Sequence, residues 1–533
     1  MVVTAIKEVS TTTGKDRVRS SLSGLAYRKN APLGAFLLLL ALPTAAAEFD
    51  HQEYIGLRGG YELGGLALYA YPFEDYLTQS ENGPQWWIYP GLTLDLELGG
   101  WFRTLVRVEP GALSYEQNSG VTLNGRKAVD ELREQWALRE LYLEADLSGD
   151  GFSPLRLGKQ ELNLGRGMVY HDAGLGLSLD QHIARFDVGS LRVSLAAVFP
   201  DGAFWPNHRD PGYACDYELV PPCEEAVILS PTRKSWLAWA ALRLVPSPFE
   251  EIGFFAGVYG DRGNQFGRLA VPWLEEIAIE RLLAWEATQP PRPDEVREAI
   301  RQETILRIEG GPLESRGDLV FIGLQGNYLF PRFSVELTAV IQFGRFEVIV
   351  PADVSRPAPE VMTPDVLAGA VDLGFSIPAH EMISVGGFLT FISGEPASGK
   401  GAPQGEFNAF ISVAPWIRRS NLFFNSGLAH HFTARTASIA GLSGKGVLAG
   451  GLNLDLAPIE ALGLELTAAA LGAAAESSLT GGGYYGTEVD LEFRFYIADF
   501  LTAALEADAL FGGDFLQERG LTLRVLAGLD LEF

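Results

Sequence analysis

Charged side chains recur at alternate positions through much of this chain, a spacing that puts them on one face of extended strands. The basic ones are Arg103, Arg107, Arg156, Arg192, Arg494 and Arg524. The acidic ones are Asp95, Glu97, Asp455, Glu465, Glu488, Asp490, Glu492, Glu506, Asp508, Asp530 and Glu532. Basic positions cluster in the N-terminal strands and acidic positions in the C-terminal ones. Two facing walls of opposite sign would create a transverse field that orients ions passing between them and can set selectivity. The alternative is structural: charges on adjacent strands pair and fill the interior. Arg494 and Arg524, set among acidic neighbours, fit the structural reading. Arg103, Arg107 and Arg192 have fewer acidic neighbours and fit the selective one.

Other chemistry is poorly supported. His171-Asp172 and His182 flank one connection and His430-His431 another. None has a serine in a recognisable nucleophile context, so hydrolysis by a Ser–His constellation is not expected. The two cysteines, Cys215 and Cys223, lie in a Pro- and Tyr-rich segment. An exported chain meets an oxidising compartment, which favours a short loop disulfide over two free thiols. His208, Asp216, Glu224 and Glu225 do not form a ligand spacing. No cofactor or metal is expected.

The elements that position the charges are strands. Tyr485, Thr487, Val489, Leu491, Phe493 and Phe495 share one face, and Glu488, Asp490, Glu492 and Arg494 the other. Leu92, Leu94, Leu96 and Leu98 alternate in the same way with Thr93, Asp95 and Glu97. Tight links at Leu98-Gly-Gly-Trp101, Asp187-Val-Gly-Ser190, Val245-Pro-Ser-Pro-Phe249, Phe330-Pro-Arg332, Ile377-Pro-Ala-His380, Ala457-Pro-Ile-Glu460 and Ile497-Ala-Asp-Phe500 alternate with longer stretches. Short turns on one side and long loops on the other predict an all-β, antiparallel, up-and-down transmembrane barrel of about 18–20 strands. The count reaches 20 only if 407–430 supplies two of them. Residues 272–307 have helical spacing, with a helix start at Pro293-Asp294-Glu295, and fall in a loop. They are either an ornament on the rim or a lid over the mouth.

The totals agree. The chain has 533 residues, 47% of them hydrophobic and only 20% charged, with 60 glycines and a net charge of −26. Such acidity excludes a nucleic-acid binder, which needs a basic surface. Beyond the leader, no apolar run reaches the roughly 18 residues that a membrane helix needs. Lipid cannot satisfy a free sheet edge, so a membrane protein built of strands must close on itself. Arg28 and Lys29, the apolar run 31–43 and Thr44-Ala-Ala-Ala47 read as an export signal cleaved after Ala47, with a long polar n-region. Residues 48–533 would then form the barrel in a Gram-negative type outer membrane. Its partners would be membrane lipids, the barrel-assembly machinery and a permeating solute or polysaccharide. The last strand runs to Phe533. A terminal aromatic after alternating apolar residues resembles the assembly signal of such barrels, and it also suits an interfacial girdle.

One segment carries a resemblance. Residues 154–179, Pro-Leu-Arg-Leu-Gly-Lys-Gln-Glu-Leu-Asn-Leu-Gly-Arg-Gly-Met-Val-Tyr-His-Asp-Ala-Gly-Leu-Gly-Leu-Ser-Leu, resemble the signature of the alginate-export family of outer-membrane porins. Leu138-Arg-Glu-Leu-Tyr-Leu-Glu-Ala is similar to the strand that precedes it. The match covers about residues 133–199. The resemblance implies a monomeric barrel of about 18 strands that passes an anionic polysaccharide through an arginine-lined, loop-gated pore. Arg156 and Gln160 keep the motif, Lys159 replaces its second arginine, and Arg166 lies just beyond. Lysine keeps the charge but loses the bidentate fork that suits carboxylates. The acidic surplus would repel a polyuronate, which leaves cationic, neutral or zwitterionic permeants open. A structural or adhesive barrel with no open pore is a further reading, and a barrel enzyme the least favoured.

Overall fold

Period-two alternation makes strands because successive side chains point to opposite faces. The computed structural model describes residues 60–532, apart from short breaks and the stretches 71–83, 117–132, 147–153, 201–234, 397–404 and 425–436. The leader with its cleavage site, Cys215 and Cys223, His430 and His431, and Phe533 lie outside the described residues.

The first strand, β1, is in two pieces, Gly60–Leu63 and Leu66–Ala70. Then follow β2 (Pro84–Leu98), β3 (Phe102–Glu116), β4 (Arg133–Asp146), β5 (Pro154–Leu164), β6 (Tyr170–Phe186) and β7 (Gly189–Pro200). Next come β8 (Trp236–Ser247), β9 (Glu250–Asp261), β10 (Ser315–Phe330), β11 (Phe333–Val350), β12 (Asp365–His380) and β13 (Ile383–Ile392). The last are β14 (Val447–Ile459), β15 (Leu462–Gly472), β16 (Tyr484–Ala498), β17 (Leu501–Gly512) and β18 (Leu521–Glu532). Each pairs antiparallel with the next. Both pieces of β1 pair with β18 on one side and β2 on the other. Among the described residues the ladder is therefore an uninterrupted circuit of eighteen strand positions.

The count is lower than twenty for a definite reason. The described residues of 407–430 add no strand between β13 and β14, which pair directly from Ile392↔Val447 to Ile383↔Leu456. Two sequence-predicted turns are also displaced. Pro378 and Pro458 lie inside strands, and the two-residue turns follow at 381–382 and 460–461. Register shifts beside both prolines show why: a bulge accommodates a residue that cannot donate to the ladder.

Burial is inverted relative to a soluble sheet. On β11, Phe333, Ile341 and Phe343 are exposed, while Val340 and Gln342 are buried. The outward row runs Phe333, Val335, Leu337, Ala339, Ile341, Phe343 and then turns polar at Arg345 and Glu347. Arg345 pairs with Asp365 at 2.6 Å and Arg316 with Glu347 at 2.6 Å, all on the outside. Ten steps of about 3.4 Å, tilted about 45°, make an apolar band about 24 Å tall, the height that a bilayer core requires. Phe330 and Phe333 stack at 4.3 Å at the turn end of that band.

Three helices interrupt the strands between β9 and β10: α1 (Gln265–Leu269), α2 (Val271–Glu286) and α3 (Asp294–Glu309). The sequence placed both longer helices, with Asp294 and Glu295 in the first turn of α3. The first turns of α3, residues 294–299, are exposed, whereas α1 and α2 are packed. Trp273, Leu274, Ile277 and Leu282 of α2 are buried, Phe266 of α1 stacks on Phe346 at 5.2 Å, and Trp273 meets Phe407 edge-on at 5.9 Å.

Candidate functional site: the filled lumen

The inner face of the circuit is occupied by two further segments. The first is the connection 165–169. Gly165, Arg166 and Gly167 all have left-handed φ, and the Gly167 N–H donates to Asn163 Oδ1 at 2.8 Å. This curl crosses to distant strands. The Gly165 N–H donates to Gln325 Oε1 on β10 at 3.0 Å, and Arg166 pairs with Glu336 on β11 at 2.8 Å.

The second consists of the described residues of 393–446, the inward segment. Its Ile411 is held like a strand residue by one side chain, the buried Gln342 of β11. The Gln342 Nε2 donates to the Ile411 carbonyl at 2.8 Å, and the Ile411 N–H donates back to Gln342 Oε1 at 2.9 Å. Further on, Arg419 donates two bonds to Asp372 of β12, from Nε at 2.9 Å and from Nη2 at 2.5 Å. Its guanidinium also lies 3.5 Å from Glu336 and over the Phe388 ring of β13. Gly374 makes the room, since a Cβ there would lie 2.7 Å from the guanidinium.

The same segment then reaches β16. Ser420 Oγ donates to Glu488 at 3.0 Å, the Asn421 N–H to Asp490 at 3.0 Å and the Phe423 N–H to Glu488 at 3.1 Å. A stretch of thirteen residues, 411–423, thus runs from β11 past β12 to β16, five strand positions along the circuit. Substituting Gln342 with alanine would remove its bonds to the buried Ile411 N–H and carbonyl, at up to about 1–3 kcal/mol for each group left unpaired. The expected outcome is faster hydrogen exchange at Ile411, with exchange in β11 unchanged.

The charges predicted to face inward can now be placed. Register sets Asp455 opposite Glu465, Glu465 opposite Glu492 and Glu492 opposite Glu506. Asp490 faces Asp508, and Asp508 faces Arg524. Glu488, Asp490, Glu492, Glu506 and Asp508 are each at most 4% exposed, so much of the acidic wall is covered rather than bare. Like charges directly opposite destabilise a sheet. The N–H donors of the inward segment and Arg494, 2.5 Å from Glu492, offset that repulsion. Asp530 faces Thr502 and Glu532 faces Gly60.

On the other half of the circuit, Arg156 pairs with Glu144 at 2.6 Å and lies over Tyr142. Register puts Arg103 between Glu97 and Glu144, Arg107 opposite Glu140, and Asp95 opposite Leu105. Arg103 thus has an acidic register partner on each side, and Arg107 has Glu140 on one side and Thr93 on the other. Arg192 sits between His182 and Arg243. Its strand, β7, is nine positions from β16, half the circuit away. Of the motif residues, Lys159 is 9% exposed and Gln160 fully buried, accepting from Ser178 Oγ at 2.6 Å.

The residues that anchor the inward segment to β11 and β12 were not singled out from sequence: Glu336, Gln342, Asp372 and Arg419. Gln342 and Asp372 left one usable signal, a polar group on the inner face of an otherwise apolar strand. Arg419 left none, because the run from Trp416 to Asn421 has no period.

Comparison with solved structures finds proteins of Pseudomonas aeruginosa, among them the outer membrane protein OprD. OccK5 (OpdH) is 10% identical with a TM-score of 0.43, over 89% of this chain and 98% of that one. OpdK, solved with vanillate, is 10% identical at 0.44, over 89% and 98%. OprD is 10% identical at 0.40, over 89% and 94%. Scores this low carry no argument, and the pairing pattern stands on its own. No family model matches the sequence, nor does any curated protein. The alginate-export resemblance therefore rests on its own residues alone.

Proposed function

We propose that this chain is an outer-membrane channel for small solutes, a closed barrel of eighteen strands narrowed by the inward segment 393–446. One observation carries the reading: a ladder whose last strand pairs with its first turns large apolar side chains outward and charges inward. Water cannot be the outer solvent of such a surface, because soluble monomers rarely expose apolar patches beyond a few hundred Å². Lipid can. A lumen lined with ion pairs and crossed by hydrogen-bonded chain suits hydrated solutes.

Small solutes are favoured over a polysaccharide by what the motif residues touch. Arg156 is held by Glu144, Arg166 by Glu336, and Lys159 is buried. None presents a free cationic track to a polyuronate. The buried anchors of the inward segment also oppose the width that a polymer needs.

Planar-bilayer recording of the purified protein tests the proposal. Steps of stable conductance are expected, with liposome swelling by sugars that falls off as solute size grows. Absence of conductance would favour the closed structural or adhesive barrel. Current block by added polyuronate would favour polysaccharide passage.

A further inference from the structure

The helical insertion and the inward segment meet at an ion pair. Lys445 Nζ lies 2.7 Å from Glu276 Oε1, and the two side chains are 3% and 6% exposed. Glu276 belongs to the buried side of α2. Lys445 lies in the neck of the inward segment, two residues before β14. Glu395, on the other arm of that neck, is also buried. The arms touch through backbone: the Glu395 N–H donates to the Gly444 carbonyl at 2.8 Å, and a Cβ on Gly394 would lie 1.9 Å from the Lys445 carbonyl carbon. Glu395 Oε2 accepts the Asn408 N–H at 2.6 Å, while its Oε1 has no partner among the described residues. Two acids and one base thus share a dry site between α2 and the neck.

We propose that Glu276, Lys445 and Glu395 form a latch that docks the helical insertion onto the neck of the inward segment, so that the mouth opens and closes with the charge on Glu395. The inference rests on the channel reading above. With Glu395 protonated, the three groups sum to zero and Lys445 satisfies Glu276. With Glu395 ionised, the site holds one uncompensated negative charge away from water, which weakens the docking.

The groups that face Glu395 are Lys445 from its own neck, Glu276 from α2, and the backbone of Asn408 and Ala409. Burial pushes its carboxyl up to about 7, and Glu276 adds to the rise, against the opposing pull of the Asn408 and Ala409 hydrogen bonds and of Lys445. Undocked and solvated, the carboxyl returns toward its ordinary 4.5. A group whose pKa is raised in the docked state favours docking fully below the lower value. That contribution falls as pH climbs and is lost above about 7. The gap limits the change in the open–closed equilibrium to about 10²-fold.

The experiment records the full-length protein in planar bilayers, with pH on the loop side stepped from about 5 to about 8.5. Open probability is expected to rise with pH through neutrality, by up to about 10²-fold. Glu395→Gln keeps the shape and stays neutral, so its channels should remain in the low-pH behaviour throughout. Lys445→Met strips the cation from Glu276 and should open the mouth at low pH as well. A wild type that conducts without pH dependence overturns the latch. So does a Glu395→Gln variant that gates like wild type, and so does a Lys445→Met variant with unchanged gating. Absence of conductance at every pH overturns the channel reading instead.

Discussion

Replacing Arg419 with alanine is expected to raise the single-channel conductance and to make the inward segment a substrate for added protease. Arg419 and Asp372 are 11% and 13% exposed, so the pair is largely out of water. Removing the arginine leaves Asp372 with the Thr390 hydroxyl at 2.6 Å as its remaining described donor. Breaking a buried pair from one side costs about 3–5 kcal/mol. The circuit of strands does not bear that loss, because its ladder is separate from the pair. The loss falls on the docking of residues 409–423, and about 3 kcal/mol is already more than 10²-fold in that equilibrium. The double change Arg419→Ala with Asp372→Asn should be milder than Arg419→Ala alone, since no uncompensated charge remains. Arg419→Lys should fall between wild type and alanine, for it keeps the charge and loses the fork that grips both carboxylate oxygens. Unchanged conductance and unchanged proteolysis in Arg419→Ala would show that the segment is held by its other anchors, and that Arg419 does not set the aperture.

How legible the molecule was depends on which physical constraint wrote each part. The wall was written by the bilayer, which demands an apolar residue at every second position. Strands such as β16 and β18 were readable for that reason, as were turns at Phe330-Pro-Arg332 and similar sites. Helix α3 was readable because Asp294 and Glu295 complement the helix N-terminus. The interior was written by a different rule. The described residues of 393–446 reach the wall through short backbone pairings, such as Glu406–Phe407 with Asp365–Val366, and through wall side chains that take up their N–H and carbonyl groups. Gln342 gripping Ile411, and Glu488 accepting the Phe423 N–H, leave no period to detect. Alternation also predicts which charges turn inward without saying what covers them. Glu488 and Asp490 were read as candidates for a bare wall, and the inward segment lies on them. Depth across the sheet comes from strand pairing, and coverage comes from a loop that pairing does not describe.

The lipid reading has its own decisive substitution. Leu373 lies at the centre of the outward row of β12 that runs from Leu367 to Ile377, and its register partners on either side are Leu337 and Leu389. It is 37% exposed, and Leu367, near the polar edge marked by Asp365, is 65% exposed. In a water-facing sheet, arginine at either position would be nearly neutral, and more so at the more exposed one. In a bilayer the order is the same, but the size of the effect is not. Arginine at the midplane of a barrel costs about 2–4 kcal/mol, whereas near the interface the cost is about 0–1 kcal/mol, because the guanidinium reaches the headgroups. Leu373→Arg should therefore lower stability in a urea titration of the protein folded into vesicles by about 2–4 kcal/mol. Leu367→Arg should leave it nearly unchanged. Equal effects at the two positions, or a larger one at Leu367, would mean that the apolar band does not face hydrocarbon, and the channel proposal would lose its foundation. The size of the effect at Leu373 decides, since in water an outward leucine more than a third exposed accepts arginine at little cost, whereas at the midplane of a lipid slab the charge has no route to solvent.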